Sequence, residues 1–438
     1  MLPVTFLQKN RTRLGEKLAP RSLAVVHSND VPPTNADGSA AFHQNTDLYY
    51  LTGVRQEETI LLLCPEAANP AWREILFLRE TTPLLETWEG KKLSQPAARE
   101  RTGIQTVLWT DAFPQIFRQL MCEMDNVYLN SNEHKRARVV VESRDMRFLR
   151  ETMREYPLHR YKRLAPLLHG LRVVKAPEEI ELMRKACTLT NRAFQRVLQF
   201  VRPGVNEAEI EAEFAHEFIR AREKFAYLPI VASGKNALGL HYIENNAECQ
   251  SGDLILLDVG ATCGLHNADM SRTIPVSGHF TPRQRAVYDA VLRAMRELAA
   301  QLRPGLRWSE WQQNAIAVLE REMVGLGLFS LRDVKKQDKE APLWRRYFMH
   351  GIGHPLGLDV HDVGDVTQPM QAGWVLTCEP GLYIPEEEMG IRLENNFLVT
   401  ENGPVDLMAD IPVEAEEIEA LMQQGKKHSR RLAPRMLK

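Results

Sequence analysis

GDLILLDVGATCGLHNADMSRTIPVSG, residues 252–278, is the stretch whose reading decides the fold. A compact apolar strand ends at Asp258, Cys263-Gly264 offers a turn, and Asp269 follows before a second apolar run. Reversal of the chain about Cys263-Gly264 sets Asp258 directly opposite Asp269. Opposed residues on an antiparallel pair share a face, with Cβ atoms roughly 4.5–5.5 Å apart. Two bare carboxylates so placed repel, so the arrangement makes sense chiefly with a cation between them.

The same geometry recurs downstream. In VLTCEPGLYIPEEEMGIRLENNFLVT, residues 375–400, reversal about Glu386-Glu387 places Glu379 opposite Glu394. Either pair alone reads equally well as edge-strand charges facing water. Between the pairs lies YFMHGIGHPLGLDVHDVG, residues 347–364, which gathers three histidines. His350 and His354 have the four-residue spacing that puts zinc ligands on one helical face. Gly351, Gly353, Pro355 and Gly357 argue against a helix, because helix interiors resist both residue types. The segment is therefore expected to be an extended strand and a bend, with His350 and His354 on one face. A lone histidine is usually a surface or satisfied core residue; three here, flanked by two carboxylate pairs, point to a site.

Asp258, Asp269, Glu379 and Glu394 together carry the negative charge that two divalent ions balance, and one imidazole completes the set. An oxygen-rich, thiolate-free site suits Mn²⁺, Co²⁺ or Zn²⁺ and argues against Cu(I) or an iron–sulfur cluster. Two such ions about 3.5–4 Å apart can share a hydroxide and polarise a substrate oxygen.

Composition sets the frame. A chain of 438 residues has length for two or three domains with ample core. A formal net charge of -2 gives no overall attraction to nucleic acid or to an anionic membrane. Cys64, Cys122, Cys187, Cys249, Cys263 and Cys378 are scattered with no CxxC pair. That favours reduced thiols in a cytoplasmic protein. No apolar run approaches the ~18 residues of a membrane span, and the N-terminus lacks the apolar region of a signal peptide.

Residues 23–64 alternate apolar runs (LAVVHS, LYYLTGV, TILLLC) with turn residues and read as sheet. A mixed α/β pattern continues to about residue 165. Pro177 with Glu178 and Glu179 then opens a helix, since proline is tolerated in the first turn and acids favour the positive end of the dipole. Asn206 with Glu209, and Thr281 with Gln284, form capping boxes for two more. The boundary is expected near 165–176, dividing an N-terminal domain (1–170) from a catalytic domain (171–425) and a basic, disordered tail (426–438).

The ordered set Asp, Asp, His, Glu, Glu in LLDVG, NADMSRT, HGIGHPLGLDVHD, TCEPGLY and IRLEN resembles the pita-bread metallopeptidases of family M24. Within that family the resemblance is to aminopeptidase P, with prolidase as near kin. It covers nearly the whole chain: SNDVPPTNADGSAAFHQNTDLYYLTGV resembles the start of the family's N-terminal domain, and LRVVKAPEEIELMRKA its entry to the catalytic domain. The implied fold is a mixed α/β (α+β) N-terminal domain followed by a pita-bread catalytic domain.

Position by position, the resemblance implies that Asp258, Asp269, His354, Glu379 and Glu394 are metal ligands, with Asp269 and Glu394 bridging. It implies two divalent ions, Mn²⁺ first, with Co²⁺ or Zn²⁺ as alternatives. Glu379 would also be the general base. His241 matches the histidine beside the scissile carbonyl, and His361 the one that contacts the reacting peptide. His350 matches a proline-pocket role and Arg392 the arginine two residues before the last ligand. Trp88, in LETWEGKK, would reach a neighbouring subunit of a homo-oligomer, a dimer or tetramer. The chain departs from the family pattern at Gly353 and Pro355, which leaves the ligands intact but alters the proline pocket.

The implied activity is removal of an N-terminal residue from peptides with proline in second place. The alternatives are a prolidase acting on dipeptides and a metal-free peptide-binding relative. Creatinase-type chemistry without metal, like the binding module, would require lost ligands, and none is lost. Methionine aminopeptidase has the same metal set but normally lacks a large N-terminal domain of this type.

Overall fold

The computed structural model describes residues 2–138 and 140–432. The chain divides into two compact units, Met1–Arg172 and Val173–Lys438.

The first unit is built on a six-stranded mixed sheet. Its order is Thr106–Trp109, Glu74–Leu78, Ile60–Leu63, Ser22–His27, Asn126–Leu129, Arg160–Arg163. Ser22–His27 is buried along its whole length, and Leu23, Ala24, Val25 and Val26 make its middle apolar on both faces. Leu23, Val25, Phe77 and Val127 pack against Phe113, Phe117 and Leu120 of the helix Phe113–Glu123.

One expected strand is a helix. LYYLTGV lies in Thr46–Thr52, where the Asn45 side chain accepts from the backbone nitrogens of Asp47 and Leu48. Gly53, at φ 66°, closes the helix in the left-handed conformation that glycine adopts without strain. Leu48, Tyr49, Tyr50 and Leu51 are all buried, and a helix buried all round has the same unbroken apolar run as a buried strand.

The second unit wraps long helices around antiparallel sheets. Pro177–Phe200 begins at the expected proline, and Glu207–Arg220 and Pro282–Ala299 start at the expected capping boxes. Their inner faces supply Phe194, Phe214 and Tyr288 to a core that also holds Trp311 and Leu319. Truncating one of these large side chains to alanine would cost about 2–5 kcal/mol. The last helix, Ala415–Leu432, runs on into the segment expected as a disordered tail. Residues 433–438 of that tail lie outside the described residues. Among the described residues no helix is long and apolar enough to cross a membrane.

Two hairpins position the site. Leu254–Asp258 pairs antiparallel with Ser271–Pro275, but Asp258 stands opposite Ser271 rather than Asp269. The reversal is centred one residue later than expected, because Cys263 pairs with His266 around a two-residue turn. Gly264 (φ 59°) and Leu265 (φ 62°) both take the positive φ that a type I′ turn requires. The pairing partner therefore moves by two residues, which keeps Asp269 on the same face as Asp258. Gly260 falls across from Asp269, and a Cβ on it would lie 1.8 Å from the carbonyl oxygen of Ala268. Only glycine permits that approach.

In the second hairpin the expected register holds. Cys378 pairs with Asn395 and Gly381 with Arg392, which carries Glu379 and Glu394 opposite one another. The histidine segment is less regular than the strand expected. It runs beside Val375–Cys378 only where Ile352 and His354 accept from Glu379 and Thr377, and where Leu356 donates to Val375. Gly353 allows this contact, since a Cβ there would stand 2.2 Å from the Thr377 carbonyl oxygen. Pro355 stands across from Leu376, where a backbone N–H would face away from the partner strand, so its missing donor interrupts none of these bonds.

Candidate metal centre and active site

Asp258 ends one strand, Asp269 precedes its partner, and Glu379 and Glu394 stand at the open end of the second hairpin. The Tyr227 hydroxyl lies 2.5 Å from Asp258 Oδ1 and 2.6 Å from Asp269 Oδ1, so these two carboxylates meet at one phenol. Nε2 of His354 lies 3.3 Å from Asp269 Oδ2 and 3.8 Å from Glu379 Oε1. Asp269, His354 and Glu394 each offer a ligand atom within 4.8 Å of the others. All five residues expected as ligands thus fall in one cluster.

The donor set fits a divalent metal. Glu394 Oε2 accepts from Ser271 Oγ at 2.8 Å, but Oε1 is buried with no hydrogen-bond partner among the described residues. A buried carboxylate oxygen left so is costly unless something else meets it. His354 has Nδ1 3.0 Å from the Pro355 carbonyl, which can only accept. Nδ1 therefore carries the proton, and the lone pair of Nε2 faces the carboxylates, as a metal-ligating imidazole requires.

The electrostatics agree. Burial pushes the Glu379 carboxyl up to about 7, with His354 and Arg392 pulling against the shift and Asp269 adding to it. Burial likewise drives Glu394 well above the carboxylate range, and the charges of Asp269, Glu379 and Asp258 add to the effect. Asp258 is raised by burial although Arg392 opposes it. Burial disfavours charge on His354, but the hydrogen bond to Asp269 that Nε2 makes only when the ring is doubly protonated, together with the charge of Glu379, raises its pKa overall. The cluster holds more negative charge than its own cations offset, and bound divalent cations would reverse the carboxyl shifts.

Arg392 is buried and organises the edge of the cluster. Its guanidinium donates to Asp258 Oδ2 at 2.6 Å, to Ser271 Oγ at 2.8 Å and to the Tyr383 hydroxyl at 2.8 Å. Tyr383 in turn donates to His350 Nε2 at 2.9 Å, while His350 Nδ1 donates to the Gly351 carbonyl at 2.8 Å. Burial, with Arg392 adding to it, lowers the His350 pKa to about 3 and keeps the ring neutral. His350 Nδ1 is 3.7 Å from Glu379 Oε2, so it flanks the cluster. The ring of exposed His361 stands edge-on to that of His354, with centroids 4.4 Å apart. His241 is also exposed, just after the short 3-10 turn Gly234–Leu238. Trp88 belongs to the other unit, where it is 80% exposed on the helix Pro83–Glu89.

Sequence reasoning missed the supporting side chains. Asn396 accepts from the backbone nitrogen of Asp269 and donates to its carbonyl, fixing that residue from both sides. Its place in LENN, two residues past Glu394, was the available signal. Ser271 would have emerged from the correct hairpin register. Tyr227 lies in irregular chain before the strand Ile230–Ser233, where no spacing marks it.

Residues 181–401 match the model of metallopeptidase family M24, and residues 7–128 that of the aminopeptidase P N-terminal domain. The chain is 35% identical over 437 residues to the Xaa-Pro aminopeptidase of Escherichia coli K12, covering 96% of this chain and 98% of that protein. It is 33% identical over 434 residues to the Xaa-Pro aminopeptidase of Haemophilus influenzae, again covering 96% and 98%. The solved structure of E. coli aminopeptidase P with the inhibitor Pro-Leu superposes with a TM-score of 0.86 at 34% identity, covering 97% of this chain and 99% of that one. The architecture is accordingly an N-terminal mixed α/β domain followed by a pita-bread catalytic domain. Domain models, full-length relatives and fold agree: the chain belongs to metallopeptidase family M24, in its aminopeptidase P group.

Proposed function

We propose that this enzyme is a divalent-metal-dependent aminopeptidase that cleaves the bond between an N-terminal residue and a penultimate proline in peptides. The observation that carries the reading is the convergence of Asp258, Asp269, His354, Glu379 and Glu394 around the unpartnered Oε1 of Glu394. In this proposal these five residues would hold two divalent ions, with Asp269 and Glu394 the carboxylates shared between them. Mn²⁺ is the proposed native metal, on the oxygen-rich donor set. When bound, a metal pair supplies water acidified toward neutrality and polarises the scissile carbonyl.

The chain's own residues do the rest. Glu379 takes the water proton on a carboxylate oxygen and carries it to the prolyl nitrogen as the C–N bond breaks. His361 and His241 donate ring N–H groups toward the carbonyl oxygen as negative charge gathers there. His350, held neutral between Tyr383 and Gly351, shapes the wall of the proline pocket. A prolyl nitrogen has no N–H, so that pocket can fit the ring without satisfying a donor. Arg392 holds Asp258, and through Ser271 it also steadies Glu394. The free α-amine is held by carboxylate, which restricts action to the N-terminus.

The proposed setting is the cytoplasm, as a homo-oligomer to which Trp88 contributes. The direct test is a panel of Xaa-Pro-Xaa, Xaa-Ala-Xaa and N-acetylated Xaa-Pro-Xaa peptides with metal-loaded protein. Cleavage of the first alone supports the assignment; equal cleavage of all three overturns it.

A further inference from the structure

The segment that carries His241 has no ladder of its own. The 3-10 turn Gly234–Leu238 gives way to irregular chain that reaches Ala247. Such a loop moves unless something beyond its backbone fixes it. Both of its stems converge on one fully buried carboxylate, Glu207, in the first turn of the helix Glu207–Arg220.

On the incoming side, Glu207 Oε1 accepts from the backbone nitrogen of Ser233 at 2.6 Å, from Ser233 Oγ at 2.7 Å and from Asn236 Nδ2 at 3.2 Å. On the outgoing side, Oε2 accepts from the Tyr242 hydroxyl at 2.7 Å and from the backbone nitrogen of Ala247 at 2.9 Å. Hydrogen bonds to an ionised acceptor are roughly twice as strong as neutral ones. The helix does not need Glu207 for capping, because Asn206 and Glu209 already form the capping box. Tyr242 is held at both ends: its side chain packs against the small core cluster that contains Ile230, Leu256 and Tyr383, and its hydroxyl donates to Glu207. His241, its immediate neighbour, stays exposed.

We infer that Glu207 is a positioning residue for the hydrolysis: its carboxylate clamps both stems of the 234–247 loop and so holds His241 against the scissile carbonyl. The inference rests on the role given to His241 above. Charge stabilisation by a donor falls steeply when that donor is displaced, and a misplacement of about 1 Å can cost about a hundredfold in rate.

The test uses the full-length, metal-loaded protein and two readouts. Tyr242→Phe removes one bond to Glu207, together with the longer contacts of the same hydroxyl to Asn246, and keeps the ring, so folding is preserved. It should lower kcat on an Xaa-Pro-Xaa peptide about tenfold with KM within about twofold, at unchanged metal content. In a His241→Ala background the same substitution should change kcat no further, because the group it positions is gone. Glu207→Gln, which puts an amide donor before the Ala247 or Ser233 N–H, should lose more than Tyr242→Phe. Amide hydrogen exchange should quicken in residues 239–246 in both variants. An equal loss of kcat with and without His241, or unchanged exchange in the loop, overturns the inference. Failure of the wild-type protein to cleave any Xaa-Pro peptide would sink the functional reading instead, and the exchange measurement alone would then decide the clamp.

Discussion

Arg392 donates to Asp258 across 2.6 Å, joining the last residue of the strand Met389–Arg392 to the last residue of Leu254–Asp258. This buried ion pair ties the two hairpins together at the point where their carboxylates converge. Breaking such a pair leaves an uncompensated buried charge, at a cost of about 3–5 kcal/mol. Arg392→Met should therefore lower stability by that order in the presence of a chelator. With saturating divalent metal the loss should be smaller, because the ions offset the same charge. Urea unfolding under both conditions checks this; an equal loss would place the ions elsewhere.

Metal dependence should be complete. A chelator is expected to abolish peptide hydrolysis, and Mn²⁺ to restore it, with Co²⁺ as a second activator. The unpartnered Oε1 of Glu394 motivates this, since no group among the described residues satisfies it. Full turnover by protein shown by elemental analysis to hold no metal would contradict it.

Ligand and non-ligand roles should separate. Glu379→Gln should lower kcat by at least about a thousandfold and weaken metal binding, because it removes both a base and a ligand charge. His361→Ala should keep its metal and lose about a hundredfold in kcat, as expected for a donor used in the transition state. Metal content beside kinetics settles the assignment. A metal-empty His361→Ala protein would show that this histidine is a ligand.

Trp88 projects from its helix with Leu84 one turn before it, at 80% and 69% exposure. Two large apolar side chains so placed contribute little to the unit that bears them. Trp88→Ala should leave the melting temperature of that domain within about 1–2 °C. It should weaken self-association or raise KM for longer peptides. Unchanged sedimentation together with unchanged kinetics would remove the subunit role.

Local chemistry was the legible part of this chain. The helices at Pro177, Glu207 and Pro282 could be read because proline at the start and capping-box pairs act within one turn. The register of Glu379 against Glu394 could be read because Pro385 opens the turn and the polar run PEEE marks where the chain reverses. The Asp258 hairpin was misread because Leu265 adopts a positive φ, which side chains other than glycine resist and which sequence therefore does not announce. LYYLTGV failed for a different reason: burial on all sides erases the period that separates helix from strand. Tyr227, Tyr383 and Glu207 were invisible because their partners are brought in only by tertiary structure.

The final prediction concerns substrate length. A prolidase must bind the free carboxylate of a C-terminal proline, which calls for a cation at the end of a closed pocket. An aminopeptidase acting on longer peptides must leave that end open for the continuing chain. Arg392, the cation nearest the cluster in sequence, is buried and already committed to Asp258, Ser271 and Tyr383. Recruiting it to a substrate carboxylate would break the link between the hairpins. The chain should therefore prefer Xaa-Pro-Xaa peptides to Xaa-Pro dipeptides. The measurement is kcat/KM for a dipeptide and for the tripeptide made by extending it, which compares transition-state binding directly. At least a tenfold preference for the tripeptide, about 1.4 kcal/mol, is expected. The same margin in favour of the dipeptide would make the enzyme a prolidase, with a cation other than Arg392 holding the free carboxylate.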